Sequence, residues 1–210
     1  MDKPYVFINI VTYNSLPYLE FCLASLKEQT FKNFSTLIID NASSDKTLEF
    51  LAANYQEIPI IKNSSNLGFA QAHNQGIRRQ ISNQIPNPND QMKSDFPTLA
   101  QHSYVLILNP DIILTPTYLE EAIKIIEAEP KVAGITGRLL RYALDTETRI
   151  QYQNVIDSEG LEILRTRQVR EINSGKEIIN HKSKIINPQE VWGISGACAL
   201  YRLSALEEVR

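Results

Sequence analysis

Strand-like and helix-like segments alternate four times in the first 130 residues, and this rhythm constrains the fold more than any other feature of the chain. Tyr5-Val-Phe-Ile-Asn-Ile-Val-Thr12 is almost continuously apolar, as a strand covered on both faces is. Beyond it, Leu19, Cys22, Leu23 and Leu26 fall at the spacing of one helix face, with Ser15 and Pro17 as start signals. Thr36–Asp40 reads as a second strand, followed by Asn41-Ala-Ser-Ser-Asp45 and a helix that aligns Leu48, Leu51, Ala52 and Tyr55. Ile58–Ile61 predicts a short third strand, and Asn66-Leu-Gly-Phe-Ala70 opens a helix running to Arg79. The fourth strand is Tyr104–Leu108. Its helix, Thr117–Glu129, turns Leu119, Ala122, Ile123 and Ile126 inward and stops at Pro130. Such alternation predicts an α/β protein with a layered, doubly wound and mainly parallel central sheet. Sheets of this kind bind ligands beyond the carboxyl ends of their strands.

The remainder breaks the rhythm. In residues 80–103, Asn, Gln, Pro and Ser make up 13 of 24 positions, which predicts a surface insertion. Val132–Thr136 begins another strand, 141–190 reads as polar hairpins and loops, Val191–Tyr201 is apolar again, and Ser204 starts a helix. With 210 residues, 43% of them hydrophobic, one domain over 1–210 is expected: a ligand-binding half, 1–130, and a partial second half, 131–210.

Charge excludes some partners. The net charge of −3 offers no bulk attraction for nucleic acid, and the basic excess of 131–184 is small enough to be a solvated surface. No apolar run reaches the roughly 18 residues of a membrane span. The amino terminus enters a strand without a signal-peptide layout, so a cytoplasmic location is expected. Cys22 and Cys198 lie on separate apolar stretches and read as buried free thiols.

Polar residues gather where the strands end. They are Thr12-Tyr13-Asn14, Asp40-Asn41-Ala-Ser43-Ser-Asp45, Asn66-Leu-Gly68-Phe69 and Asn109-Pro-Asp111. Singly, each suits an ordinary turn, and Ser43 and Asp45 suit a helix cap; together they mark one rim of a sheet. No Gly-x-Gly-x-x-Gly follows the first strand, no Walker-type Gly-Lys-Ser/Thr occurs, and Gly193-Ile-Ser195-Gly196 lacks the spacing of a nucleophile elbow. His73, His102 and His181 lack metal-ligand spacing, and His73 reads as a helix-surface or packing residue.

The stretches VTYNS…CLASLKEQTF, IIDNASSD, NLGFAQAHNQGI, LNPDI and WGISGACALYR occur in this order. Together they resemble the family 2 glycosyltransferases of the GT-A fold, a Rossmann-like layered fold with a mainly parallel central sheet, and in particular their rhamnosyltransferase-like branch. The resemblance implies inverting transfer of a sugar, rhamnose in that branch, from a nucleotide diphosphate donor such as dTDP-rhamnose to a glycan or lipid-linked glycan acceptor in polysaccharide and cell-wall synthesis. It makes 1–130 the nucleotide-binding half and 131–210 the acceptor side. A place at the inner face of the plasma membrane follows from such acceptors, and homodimerisation stays open.

By the same resemblance, Thr12, Tyr13 and Asn14 hold base and ribose, and Asp40 accepts a hydrogen bond from the pyrimidine N3–H, a role suited to an acceptor-only carboxylate. Asn41, Gly68, Phe69 and Asn74 complete the nucleotide-sugar side, Gly68 by letting backbone approach the donor. Asp111 is the metal carboxylate for Mg²⁺ or Mn²⁺, while Asn109 stands where the family's first metal-motif acid would be and faces ribose or a water. Trp192 and Gly196 flank acceptor and sugar, with a core position for Trp192 equally open. The family's general base belongs to a motif expected beyond Arg210; Glu207 and Glu208 read as a solvated helix face. The alternative is a catalytically incomplete nucleotide-sugar-binding domain. A nucleotidyltransferase would need a Gly-rich, basic loop after the first strand, which Thr12–Pro17 is not.

Overall fold

The computed structural model describes residues 3–82, 103–147, 149–178 and 188–209. Most of the insertion expected at 80–103 lies outside these, as do His102, His181 and Arg210. Strands β1 (Tyr5–Thr12), β2 (Phe34–Asp40), β3 (Ile60–Lys62) and β4 (Ser103–Leu108) alternate with helices α1 (Leu16–Lys27), α2 (Thr47–Asn54), α3 (Phe69–Ser82) and α4 (Tyr118–Ala128). Next come β5 (Gly134–Ile135), the hairpin strands β6 (Leu139–Leu144) and β7 (Ile150–Ser158), a second hairpin of β8 (Leu161–Ile163) and β9 (Val169–Glu171), then β10 (Cys198–Arg202) and α5 (Leu203–Glu208). The main sheet has the order β3-β2-β1-β4-β10-β5. Its first four strands are parallel, and β10 runs antiparallel to both β4 and β5. The mainly parallel α/β sheet expected from the strand–helix rhythm is the one present.

The period-2 alternation of the central strands divides the core between two faces. Val6, Ile8 and Ile10 of β1, with Tyr104, Leu106 and Leu108 of β4, pack against Leu19, Cys22 and Leu23 of α1, Leu51 of α2, and Leu119 and Ile126 of α4. On the opposite face, Phe7 and Val105 meet Leu203 of α5, and Leu37 and Ile39 meet Ala72 of α3. Each fully buried Leu, Ile or Phe contributes about 1.5–3 kcal/mol relative to an exposed one. Arg202 fastens the antiparallel edge to α4: it donates to the carbonyls of Ile126 and Val132 near that helix's carboxyl end, where a cation also suits the helix dipole.

The third strand begins two residues later than its apolar run, because Ile58 still donates its N–H to Tyr55 in the turn leaving α2. The apolar stretch 191–201 is also divided: Gly193 exchanges backbone hydrogen bonds with Leu161, which holds 191–197 as a loop, and only Cys198–Arg202 joins the sheet. The polar stretch expected to form hairpins does so twice.

Candidate active site

Parallel pairing sets Thr12 opposite Asp40, so the first two strands end side by side. Both residues are buried, Asp40 to 1% exposure. One Asp40 oxygen accepts the N–H of Ser43 at 3.1 Å. The other, and the hydroxyl of Thr12, have no hydrogen-bond partner among the described residues. Buried polar atoms are almost always paired, so these two mark where a ligand's polar groups would fit. Asn14 ties the loops together: its N–H donates to Ser43 Oγ at 3.0 Å, while its side-chain oxygen accepts the N–H groups of Ser44 and Asp45 at 2.8 and 3.2 Å. It does so at φ 52°, a left-handed conformation that asparagine tolerates. Ala42, at φ 66°, has no such excuse and carries strain of about 1–2 kcal/mol beside the site. Ser15 does not cap α1 with its side chain; its hydroxyl bonds Tyr13 instead. Asp45 accepts from Thr47 N–H at 3.0 Å, in keeping with a helix-start role.

Asn41, 2% exposed, is the hub of the next loop. Its amide donates to Asn66 Oδ1 and to the carbonyl of Gly68, both at 3.3 Å, and its oxygen accepts from Asn63 at 2.9 Å. Asn63 in turn accepts from Gln75 of α3 at 3.1 Å, and Asn66 accepts the Gly68 N–H at 2.8 Å. Gly68 has φ +77°, and a Cβ there would meet nothing within 4 Å. The glycine is thus required by backbone conformation, and the space beside it is open. Phe69 is half exposed and lies against Gly196, where an added Cβ would come within 3.2 Å of the ring. Behind it, the His73 ring sits edge-on at 4.4 Å. His73 is buried, both ring nitrogens lack partners among the described residues, and burial depresses its pKa to about 4, so the ring is neutral. Asn74 does not join this network; it is exposed on the outer side of α3, and its neighbour Gln75 makes the loop contact.

At the end of β4, Asn109-Pro110-Asp111 is held from three directions. Asn109 N–H donates to Ala197 at 2.9 Å, the Cys22 thiol points at the Asn109 carbonyl at 3.7 Å, and the Tyr142 hydroxyl donates to the Asp111 carbonyl at 2.8 Å. The Asp111 side chain is exposed in a cleft shared with Tyr18, Tyr142, Ala143 and Leu144. Burial, with the nearby Asp111 charge, pushes the Tyr142 phenol above its usual range, so it keeps its proton. Because Ile10 pairs with Leu108, this turn lies beside the Thr12 loop. Trp192 is 66% exposed, which rules out the core position and leaves its ring free. Both cysteines are free and buried, and burial pushes both thiols up, Cys198 to about 12, so neither is a nucleophile. Glu207 and Glu208 are exposed on α5.

Of the residues singled out in the sequence, Thr12, Tyr13, Asn14, Asp40, Asn41, Gly68, Phe69, Asn109, Asp111 and Gly196 line one rim. Tyr18, Tyr142, Asn63 and Gln75 were not singled out. Gln75 stood inside a quoted motif, but the tyrosines reach the rim from α1 and a distant hairpin, which no local pattern signals. Among the described residues, no three His, Cys, Asp or Glu side chains converge as a metal cage.

Residues 7–83 match the family model described as Glycosyl transferase family 2. The chain is 26% identical over 214 residues to N-acetylglucosaminyl-diphospho-decaprenol L-rhamnosyltransferase of Mycobacterium tuberculosis, covering 95% of this chain and 62% of that protein. Over residues 7–83 the chain is similar to glycosyl transferase family 2, and over most of its length to a rhamnosyltransferase. An uncharacterized glycosyltransferase of Methanocaldococcus jannaschii is 30% identical over 132 residues, 60% of this chain and 39% of its own length. In fold, the chain is similar to S. aureus TarS 1–349 in complex with UDP, with a TM-score of 0.55 at 16% identity over 98% of this chain and 48% of that one. A mannosyltransferase from Pyrobaculum calidifontis in complex with GDP-Man and Mn²⁺ gives 0.50 at 21% identity over 67% of this chain and 37% of that one. The layered fold is accordingly GT-A. The chain spans about three fifths of the rhamnosyltransferase's length and about half of the TarS chain's.

Proposed function

We propose that the rim binds a pyrimidine nucleoside diphosphate sugar and that the whole protein transfers its sugar, with inversion, to a glycan or lipid-linked glycan acceptor. One observation carries the reading: a buried carboxylate oxygen of Asp40 lacks a donor, next to a buried, unpaired Thr12 hydroxyl. A pyrimidine N3–H supplies the missing donor, and the ring stacks on exposed Tyr13. Asn14, Asn41 and Gly68 shape the floor, and Asn109 faces the ribose. Phe69, Gly196 and Trp192 border the sugar.

The acidic leaving group needs charge neutralisation. Asp111 fits a Mg²⁺ or Mn²⁺ ion of the kind that takes one protein carboxylate and completes its shell with phosphate oxygens and water, since the described residues offer no all-protein cage. When bound, such an ion stabilises the negative charge that develops on the departing diphosphate. The mannosyltransferase neighbour's Mn²⁺ and TarS's UDP are compatible with this assignment. The rhamnosyltransferase relative's name favours rhamnose as the sugar and a diphospho-lipid glycan as acceptor, which would place the work at the inner membrane face; dTDP-rhamnose is the donor implied by the sequence resemblance. No described helix is long and apolar enough to cross a membrane.

A second reading, a donor-binding domain without turnover of its own, draws support from the cleft beside Asp111, whose lining among the described residues holds no second carboxylate. A thermal-shift panel of UDP-, dTDP- and GDP-sugars, with and without Mn²⁺, tests the binding claim. Saturation at 100 times the dissociation constant stabilises by about 2.7 kcal/mol, so one nucleotide should stand apart, and a flat panel would reject it. Turnover by this chain against a version extended at its carboxyl end separates the two readings.

A further inference from the structure

The tip of the β8–β9 hairpin is apolar on one face and open to solvent. Ile163 and Val169 form the last pair before its turn; they stand directly opposite each other and so share that face. They are 41% and 51% exposed, and exposed aliphatic side chains grouped in this way mark an interaction surface. The turn between them, Leu164-Arg165-Thr166-Arg167-Gln168, is closed by hydrogen bonds from Leu164 N–H to Gln168 at 2.9 Å and from Arg167 N–H to Leu164 at 2.8 Å. Arg167 has φ 64°, a left-handed conformation that favours glycine, yet an arginine occupies it.

The tip is also cationic. Arg165 and Arg167 are exposed, and neither guanidinium has a side-chain partner among the described residues. The hairpin's own carboxylates are engaged elsewhere: Glu162 pairs with Arg170 at 2.7 Å, and Glu171 accepts from the Ser158 hydroxyl at the hairpin's base. Glu190, an exposed carboxylate on the segment leading to Gly193, pairs with neither arginine. Two uncompensated positive charges therefore flank two open aliphatic side chains, on a chain whose net charge is −3. Such a local patch attracts an anionic surface that the molecule as a whole repels. Aliphatic groups beside arginines match the boundary of an anionic bilayer, where phosphates meet the first acyl carbons. A soluble acidic partner would use the arginines and leave Ile163 and Val169 in water.

We propose that the β8–β9 tip docks on an anionic lipid bilayer, with Ile163 and Val169 entering its interface while Arg165 and Arg167 hold lipid phosphates. The position suits the reaction, and in that respect the proposal rests on the transferase reading. Leu161 lies two residues from Ile163, about 7 Å along β8. It exchanges backbone hydrogen bonds with Gly193 at 2.8 and 3.4 Å. Gly193 follows Trp192, which borders the sugar in that reading. Docked by this tip, the chain holds the sugar end of its rim near the surface from which a lipid-linked acceptor projects.

Flotation of the 210-residue chain with vesicles of phosphatidylcholine, alone or mixed equally with phosphatidylglycerol, tests this. The chain should float only with the anionic vesicles, and added salt should release it. Arg165→Gln combined with Arg167→Gln should lower the partition at least about ten-fold. Ile163→Thr combined with Val169→Thr keeps the strand-forming character and should lower it about five-fold. Lys124→Gln combined with Lys131→Gln removes the same charge from exposed positions elsewhere and should leave it nearly unchanged. Unchanged melting temperatures show that each variant folds. Flotation that is absent, equal on both lipids, or indifferent to either hairpin pair would overturn the surface, as would an equal loss in the lysine pair. The thermal shift with UDP and Mn²⁺, measured on the same proteins, keeps the two readings apart. A nucleotide response without flotation sinks the docking surface alone. Flotation without any nucleotide response sinks the transferase reading and leaves the surface standing.

Discussion

Tyr142, on a hairpin strand 31 residues downstream, donates its hydroxyl hydrogen to the main-chain carbonyl of Asp111 at 2.8 Å. The second half of the chain thereby grips the turn that the first half's fourth strand delivers. Tyr142→Phe removes that bond without removing the ring, at about 0.5–1.5 kcal/mol of stability. The larger expected effect is on function: the Mn²⁺-dependent part of the nucleotide-sugar thermal shift should shrink, because the carboxylate loses its fixed backbone.

Asp111→Asn should leave the melting temperature of the free protein within a degree or two, since the side chain is exposed. It should abolish the difference between nucleotide-sugar shifts measured with and without Mn²⁺. An undiminished difference would move the metal elsewhere.

Asp40→Asn replaces an acceptor-only group with one that also presents N–H. Affinity for UDP or dTDP should fall at least about ten-fold, and the wild type should bind N3-methylated UDP just as weakly. Calorimetric titration of the two proteins with the two nucleotides makes a complete double comparison.

Asn41→Ala removes three side-chain hydrogen bonds and strands Asn63 and the Gly68 carbonyl in a partly buried loop junction. Unfolding in urea should report a loss of about 2–3 kcal/mol, with an unchanged slope.

His73 supplies a pH signature. Its folded pKa, about 4, lies below its ordinary 6.5, so between these values the unfolded chain binds more protons than the folded one. The stability of neutral His73 is therefore complete above pH 6.5 and is lost as pH falls toward 4, by up to about 3 kcal/mol. His73→Leu should flatten the melting-temperature profile across that window. Parallel profiles for the two proteins would contradict the assignment.

How much of this was legible beforehand follows from the range of each interaction. Strands β1, β2 and β4 announce themselves because burial on both faces demands unbroken apolar runs, and the rim follows because the polar residues come immediately after them. Edge elements were less legible: β3 begins only where Ile60 pairs with Ile38, and residues 191–197 stay outside the sheet because Gly193 pairs with Leu161. Asn74 looked equivalent to its neighbours in the motif, but helical rotation turns it outward and Gln75 inward. Tyr18 and Tyr142 carry no local mark at all, since their meeting at Asp111 exists only once α1 and the hairpin pack.

The central claim is that loops from four neighbouring strands close on one nucleotide. Hydrogen–deuterium exchange with and without UDP or dTDP and Mn²⁺ tests it most directly. Exchange should slow together in 12–14, 40–45, 66–69 and 109–111. Slowing confined to one of these segments, or found instead in the β8–β9 hairpin, would contradict it.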